Sequence, residues 1–279
     1  MLLTELERFV EEDIGYDDVS CNIIPDCRVS AEVLAKEFGI VAGLSEATQI
    51  FEYFEVFPAT DFQDGDMVKE NDIIFNLDGG ARSILKAERL ALNFLGRMSG
   101  IATLTRQYVE RAGGPMIACT RKTTPGFRKF EKKAVVAGGG DPHRFNLSDA
   151  VMIKDNHIAV LGLEKAITAA KKAASFTKKI EIEVETVNDA VRAAKMDVDI
   201  IMFDNMTVNE IQKSVKTLEE KGLRGNIILE ASGGISIENV DKYGRTGVDV
   251  ISIGALTHSS NWLDISLRIN PNIPGSGTL

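Results

Sequence analysis

Two patterns of apolar positions meet near Ile101. Ahead of it, residues 31–44 and 73–77 carry aliphatic runs that predict strands, and Asp64-Gly65-Asp66 reads as a turn able to join antiparallel neighbours. Leu85, Leu92 and Leu95, with Ala87, Leu90 and Ala91 between them, extend over a length that suits a helix. A sheet packed on helices is therefore expected at the N-terminus. Beyond Ile101 short apolar runs recur at 116–119, 150–153, 180–184, 200–203, 227–229 and 250–253, and helical patterns fill 162–175, 187–195, 207–221 and 236–243. Strand and helix in alternation predict a parallel sheet, either a closed barrel or an open doubly wound sheet. No G-x-G-x-x-G follows a first strand, so the dinucleotide-binding form lacks its usual support.

The polar residues at the strand ends favour the barrel. The runs pass directly into Thr120-Arg121-Lys122-Thr123, Lys154-Asp155-Asn156-His157, Glu183 and Glu185, Asp204-Asn205, Glu230-Ala231-Ser232-Gly233-Gly234, and Gly254-Ala255. In a barrel these ends converge on one face, where barrel enzymes carry their sites.

Composition narrows the classes further. The chain has 279 residues, 44% of them hydrophobic and 26% charged, values of an ordinary globular protein. Its net charge of -9 argues against coating nucleic acid, which needs a basic surface. Cys21, Cys27 and Cys119 are odd in number and form no C-x-x-C, so reduced thiols are expected rather than disulfides or zinc. Glu5, Glu7, Arg8, Glu11 and Glu12 break up any signal-peptide pattern, and no run approaches the ~20 apolar residues of a membrane span. A cytoplasmic location is expected, without nucleic-acid or membrane partners.

Against the acidic total, residues 121–157 hold eight basic side chains and four acidic ones. Lys129, Lys132 and Lys133, on a short predicted helix, are expected to solvate a surface. Arg121, Lys122 and Lys154 instead sit at strand ends, and Arg144 follows His143 and the Gly138-Gly139-Gly140 loop. Several cations so placed suit a multiply charged anion. Glu183 and Asp204 end successive strands and could hold Mg²⁺ or act as acid and base; an oxygen-only donor set favours a hard cation. Ser232, Gly233, Gly234 and Gly254 follow the last two strands, where barrels often bind phosphate. His258 is expected to be structural. A Schiff-base aldolase using Lys154 would leave the arginines unexplained, and a phosphosugar-binding protein without catalysis would not need Glu183 and Asp204.

These strings, together with Glu88-Arg89-Leu90-Ala91-Leu92-Asn93, Ser99-Gly100-Ile101-Ala102-Thr103 and Pro125-Gly126, resemble the quinolinate phosphoribosyltransferase family over about residues 12–267. The string 154–157 favours that family over its molybdenum-associated paralogues. The resemblance implies the type II phosphoribosyltransferase fold: an N-terminal α/β sandwich (1–102), an incomplete parallel α/β barrel of about seven strands (103–258), and a C-terminal segment (259–279) returning to the first domain. It implies that quinolinate and phosphoribosyl pyrophosphate give nicotinate mononucleotide, pyrophosphate and carbon dioxide with Mg²⁺, in de novo NAD synthesis. It also implies a homodimer, or a hexamer built as a trimer of dimers. By the same resemblance Arg121, Lys122, His143, Arg144 and Lys154 line the quinolinate and pyrophosphate region, and Arg89 enters the neighbouring subunit's site. Glu183 and Asp204 face the ribose and the metal, with Lys122 and Lys154 joining them as catalytic residues, and Ser232, Gly233, Gly234 and Gly254 take the phosphoribosyl phosphate. The chain departs from the family at Ser20, where threonine is usual, and at Phe145-Asn146, where a small residue is common.

Overall fold

The computed structural model describes residues 1–25 and 27–270 and divides into two compact units. One comprises Met1–Thr103 and the chain from Ser260 onward; the other is Leu104–Ser259. In chain order the strands are β1 (Arg28–Ala35), β2 (Gly39–Ile40), β3 (Phe57–Ala59), β4 (Met67–Val68), β5 (Ile73–Gly80), β6 (Met116–Ala118), β7 (Val151–Ile153), β8 (Ile180–Val184), β9 (Ile200–Asp204), β10 (Ile228–Ser232), β11 (Val250–Ser252) and β12 (Ile265–Ile269).

In the first unit, alternation in β1 buries Val29, Ala31 and Val33 on one face. The strands form an antiparallel sheet in the order β12-β1-β5-β3, with Ala31 opposite Ile269 and Ala35 opposite Ile265. Part of the expected C-terminal segment, residues 271–279, lies outside the described residues. The helix Leu44–Tyr53 buries Ala47, Ile50 and Phe51, and Phe51 meets Phe75 of β5 edge-on at 5.9 Å.

The strand expected over 31–44 is instead three elements. β1 stops at Ala35, β2 pairs with β4 in a separate two-stranded sheet, and Leu44 begins a helix. Gly43 explains the break: its φ is +93°, and a Cβ there would lie 2.9 Å from Met98 Sδ. Asp64 Oδ1 accepts both the Gly43 and Leu44 N–H groups (2.9 and 3.0 Å), capping that helix. The Asp64-Gly65-Asp66 turn therefore does not join antiparallel neighbours; β3 and β4 on either side of it belong to different sheets.

The second unit carries the parallel sheet, ordered β6-β11-β10-β9-β8-β7. Its first strand in sequence pairs with its last, so the sheet curls into a barrel left open between β6 and β7. Six strands pair among the described residues, not about seven. The missing place holds a single bridge, Ala118 to Asp141. The chain cannot extend this bridge, because Pro142 has no N–H and His143 adopts φ +52°. The helix expected over 236–243 is shorter, Val240–Gly244, because Asn239 Oδ1 instead takes the Ser236 N–H at 2.8 Å in a turn.

Pairing register fixes which side chains share a face. Met152 lies opposite Glu181, Glu183 opposite Met202, Met202 opposite Glu230, Asp204 opposite Ser232, and Ser232 opposite Ser252. Directly opposed residues project to the same side, so this polar set occupies one face. Ile182, Val184, Ile201, Phe203, Leu229, Ala231 and Ile251 form the other, fully apolar and buried. No helix among the described residues is long and apolar enough to cross a membrane.

Candidate active site

At the carboxyl end of β6 the chain turns into Arg121 and Lys122. Arg121 Nε is buried and has no hydrogen-bond partner among the described residues. Arg144, on the loop between β6 and β7, donates from Nη2 to Met152 Sδ at 3.0 Å. Burial first, then the Arg121 charge, hold the Arg144 guanidinium below its ordinary pKa. Like charges of this kind, one of them with a partnerless buried Nε, are the chemistry that an anion can relieve.

Below them lie two carboxylates of the polar face, Glu181 and Glu230, 0% and 2% exposed. Both oxygens of Glu181 and Oε1 of Glu230 lack hydrogen-bond partners among the described residues. His143 Nε2 stands 3.3 Å from Glu230 and 3.9 Å from Glu181. Its Nδ1 accepts the Arg144 N–H at 2.7 Å, which in a neutral ring puts the proton on Nε2, facing Glu230. Burial lowers the His143 pKa, but the bond to Glu230 and the two carboxylate charges outweigh it and raise the value. The three side chains could encircle a cation by distance alone. With Nδ1 accepting from Arg144 and Nε2 carrying the proton, however, the imidazole has no lone pair to give one.

Burial, and then the charge of Glu230, push the Glu181 carboxyl up to about 7 from its ordinary 4.5. Between those values the native protein keeps a proton that the unfolded chain has lost. The contribution therefore makes stability fall as pH rises, with the full penalty present above about 7. Glu181→Gln is expected to melt above wild type at pH 8, with the gap narrowing toward pH 5, when thermal unfolding is followed by circular dichroism. A gap independent of pH would assign the effect to packing.

Most of the other candidate residues lie at the neighbouring strand ends of the same sheet. Lys154, after β7, forms an ion pair with Glu183 on β8, which leaves its ammonium committed rather than free to attack a carbonyl. Glu183 and Asp204 both border a cavity of about 520 Å³ at the ends of β7, β8 and β9. Asp204 is level with Ser232 across the sheet. Gly233 follows at φ +89°, where an added Cβ would collide with Asn205, and Gly234 has φ +63°. Gly254 begins the short helix after β11; a Cβ there would fall 3.0 Å from His258 Nε2 and 3.2 Å from Lys122 Cδ. Arg89 differs from the rest: it is exposed on the helix Ala81–Ala112, in the first unit, beside a surface cavity with Asp13, Asp17 and Asp18.

Several residues here were not singled out from sequence. Glu181 and Glu230 share the strand phase of Glu183 and Ser232, a period-2 signal that could have found them. His258, expected to be structural, presents Nε2 beside Gly254 and Lys122. Lys132, expected at the surface, is 2% exposed. At the two departures the backbone is held by neighbouring aspartates, and nothing in the structure explains the side chains themselves. Asp18 Oδ1 accepts the Ser20 and Cys21 N–H groups (3.0 and 3.1 Å), and Asp149 Oδ2 accepts those of Phe145 and Asn146 (2.6 and 3.1 Å).

Residues 16–99 match the N-terminal domain, and residues 101–268 the C-terminal domain, of quinolinate phosphoribosyl transferase. The chain belongs to the quinolinate phosphoribosyltransferase family. It is 45% identical over 271 residues to a probable nicotinate-nucleotide pyrophosphorylase (carboxylating) of Methanothermobacter thermautotrophicus, covering 95% of this chain and 97% of that one. A protein of the same name from Archaeoglobus fulgidus is 48% identical, with 91% and 98% covered. Among solved structures, NadC from Streptococcus pyogenes superposes with a TM-score of 0.91 at 41% identity, covering 96% of this chain and 95% of its own. Arg89 falls within the match to the family's N-terminal domain, whereas Arg121, His143, Arg144, Lys154, Glu183, Asp204 and Ser232 fall within its C-terminal domain.

Proposed function

We propose that this member of the family transfers the phosphoribosyl group of phosphoribosyl pyrophosphate to quinolinate in the cytoplasm, releasing pyrophosphate and carbon dioxide and forming nicotinate mononucleotide for NAD synthesis. The observation that carries this reading is the guanidinium pair, Arg144 beside an Arg121 whose buried Nε lacks a partner. A dianion with two carboxylates on one ring relieves both at once, and a monocarboxylate leaves one unpaired.

Each remaining group takes a task that its position supports. Lys122, Ser232, Gly233, Gly234 and Gly254 receive phosphate, the glycines letting backbone N–H groups come close. Glu183 and Asp204 offer only carboxylate oxygens at one cavity, donors that fit Mg²⁺, which accepts one or two carboxylates and completes its shell with water and phosphate. When bound, the ion neutralises charge on the pyrophosphate leaving group. Asp204 and Glu183 stabilise the oxocarbenium character of the ribose as pyrophosphate departs and the pyridine nitrogen bonds to C1′. Lys154 holds the Glu183 carboxylate through their ion pair. Once the ring nitrogen is positive, its charge stabilises the electron pair that stays on C2 as the adjacent carboxylate leaves as carbon dioxide, and that pair then takes up a proton from water to form the C2–H bond. For this step the protein supplies orientation and dryness. The decisive comparison is quinolinate against nicotinate, each with phosphoribosyl pyrophosphate and Mg²⁺. Quinolinate should be used far faster, and comparable use of nicotinate would overturn the substrate assignment.

The working unit in this reading is a homodimer, alone or within a trimer of dimers, with Arg89 completing the neighbouring site. If Arg89→Ala and Lys154→Ala proteins are each inactive, a mixed dimer has one doubly damaged site and one intact site. Random 1:1 exchange should restore roughly one quarter of wild-type activity. No recovery despite demonstrated exchange would place Arg89 outside the neighbour's chemistry.

A further inference from the structure

The helix Arg128–Ala137 touches both loops that carry the arginine pair. From one face, Arg128 Nε donates to Thr123 Oγ1 (2.9 Å) and Nη1 to the Phe145 carbonyl (3.3 Å), while Glu131 accepts the Thr124 N–H (3.0 Å) and hydroxyl (2.9 Å). Next to Glu131 on this helix is Lys132, 2% exposed. Its Nζ donates to the Thr120 carbonyl at 3.2 Å and to the Pro142 carbonyl, and lies 3.4 Å from Cys119 Sγ. Thr120 immediately precedes Arg121, and Pro142 immediately precedes His143-Arg144. One buried ammonium thus ties together the peptide groups at the root of each cationic arm.

An ammonium is a costly way to fill that space. A methionine would pack there without the desolvation penalty, and none of Lys132's hydrogen-bond partners is a carboxylate. What the ammonium supplies is a fixed distance between two carbonyls and a positive charge at the roots of the two arginine loops. We propose that Lys132 is a positioning residue that sets the spacing of Arg121 and Arg144, and so gives the site its selectivity for a ring with two neighbouring carboxylates. This rests on the quinolinate reading above. Of the groups assigned to phosphate only Lys122 lies on a loop that Lys132 ties, whereas Ser232, Gly233, Gly234 and Gly254 are carried at the ends of β10 and β11, so Lys132 acts mainly on quinolinate binding.

Steady-state kinetics of wild type, Lys132→Gln and Lys132→Met, with quinolinate and phosphoribosyl pyrophosphate varied in turn, tests this. The KM for quinolinate should rise by about 10- to 100-fold in Lys132→Met, and by less in Lys132→Gln, whose amide can still donate to one carbonyl. The KM for phosphoribosyl pyrophosphate should stay within about threefold, and the preference for quinolinate over nicotinate should shrink. Equal rises in both KM values, an unchanged quinolinate KM, or failure of both variants to fold would each overturn the proposal by making the role purely structural. A wild type that forms no nicotinate mononucleotide would instead defeat the quinolinate reading, and the proposal with it.

Discussion

Arg144→Ala is expected to lower kcat/KM for quinolinate by about a thousandfold. Truncating one partner of a buried charged pair typically costs 3–5 kcal/mol, roughly 10²- to 10⁴-fold, because the other charge is left unpaired. On the proposed reading the charge left unpaired is a substrate carboxylate. The geometry sharpens the expectation, since Arg144 lies within the field of the Arg121 charge and fixes His143 through its own N–H. Backbone N–H donation survives the substitution, so His143 should keep its place and the loss should report the guanidinium alone. Steady-state rates with quinolinate decide it. A loss below about tenfold would show that Arg144 does not meet the dianion.

Asp204→Asn is expected to cut kcat by about 10²- to 10³-fold while changing quinolinate affinity less than about threefold. Asp204 ends β9, level with Ser232 and on the polar face of the sheet, and asparagine keeps its shape while removing the charge. If the carboxylate acts on charge that develops at the ribose, its interaction is stronger in the transition state than in the bound substrates. Single-turnover rates together with equilibrium binding of quinolinate separate the two quantities. Equal losses in both would assign Asp204 to binding.

The parallel sheet was legible from sequence because its strands are buried on one apolar face and end abruptly in polar residues. The run at 180–184 coincides with β8, and those at 200–203 and 250–253 differ from β9 and β11 by one residue. The N-terminal run at 31–44 was not legible in the same way. Its breaks depend on the tertiary contact of Gly43 with Met98 and on a cap supplied by Asp64, 20 residues away from Leu44. In the site, the cations stood out because they break the acidic trend of the chain at strand ends. Lys132 did not, since nothing local separates it from Lys129 and Lys133 on the same helix; the groups its ammonium meets, at Cys119, Thr120 and Pro142, all lie outside that helix. Glu181 was hidden for a different reason: the alternation of Ile180, Glu181, Ile182 and Glu183 looks like a solvated face until the barrel folds that face inward.

On the proposed reading the arginine pair holds a dicarboxylate that loses one carboxylate after ribosylation. Wild-type protein with Mg²⁺, phosphoribosyl pyrophosphate and quinolinate labelled with ¹³C in the carboxyl group next to the ring nitrogen tests it in one experiment. The account predicts labelled carbon dioxide and nicotinate mononucleotide in equal amounts, both dependent on phosphoribosyl pyrophosphate. A mononucleotide that retains the label, or no product from quinolinate at all, would contradict it.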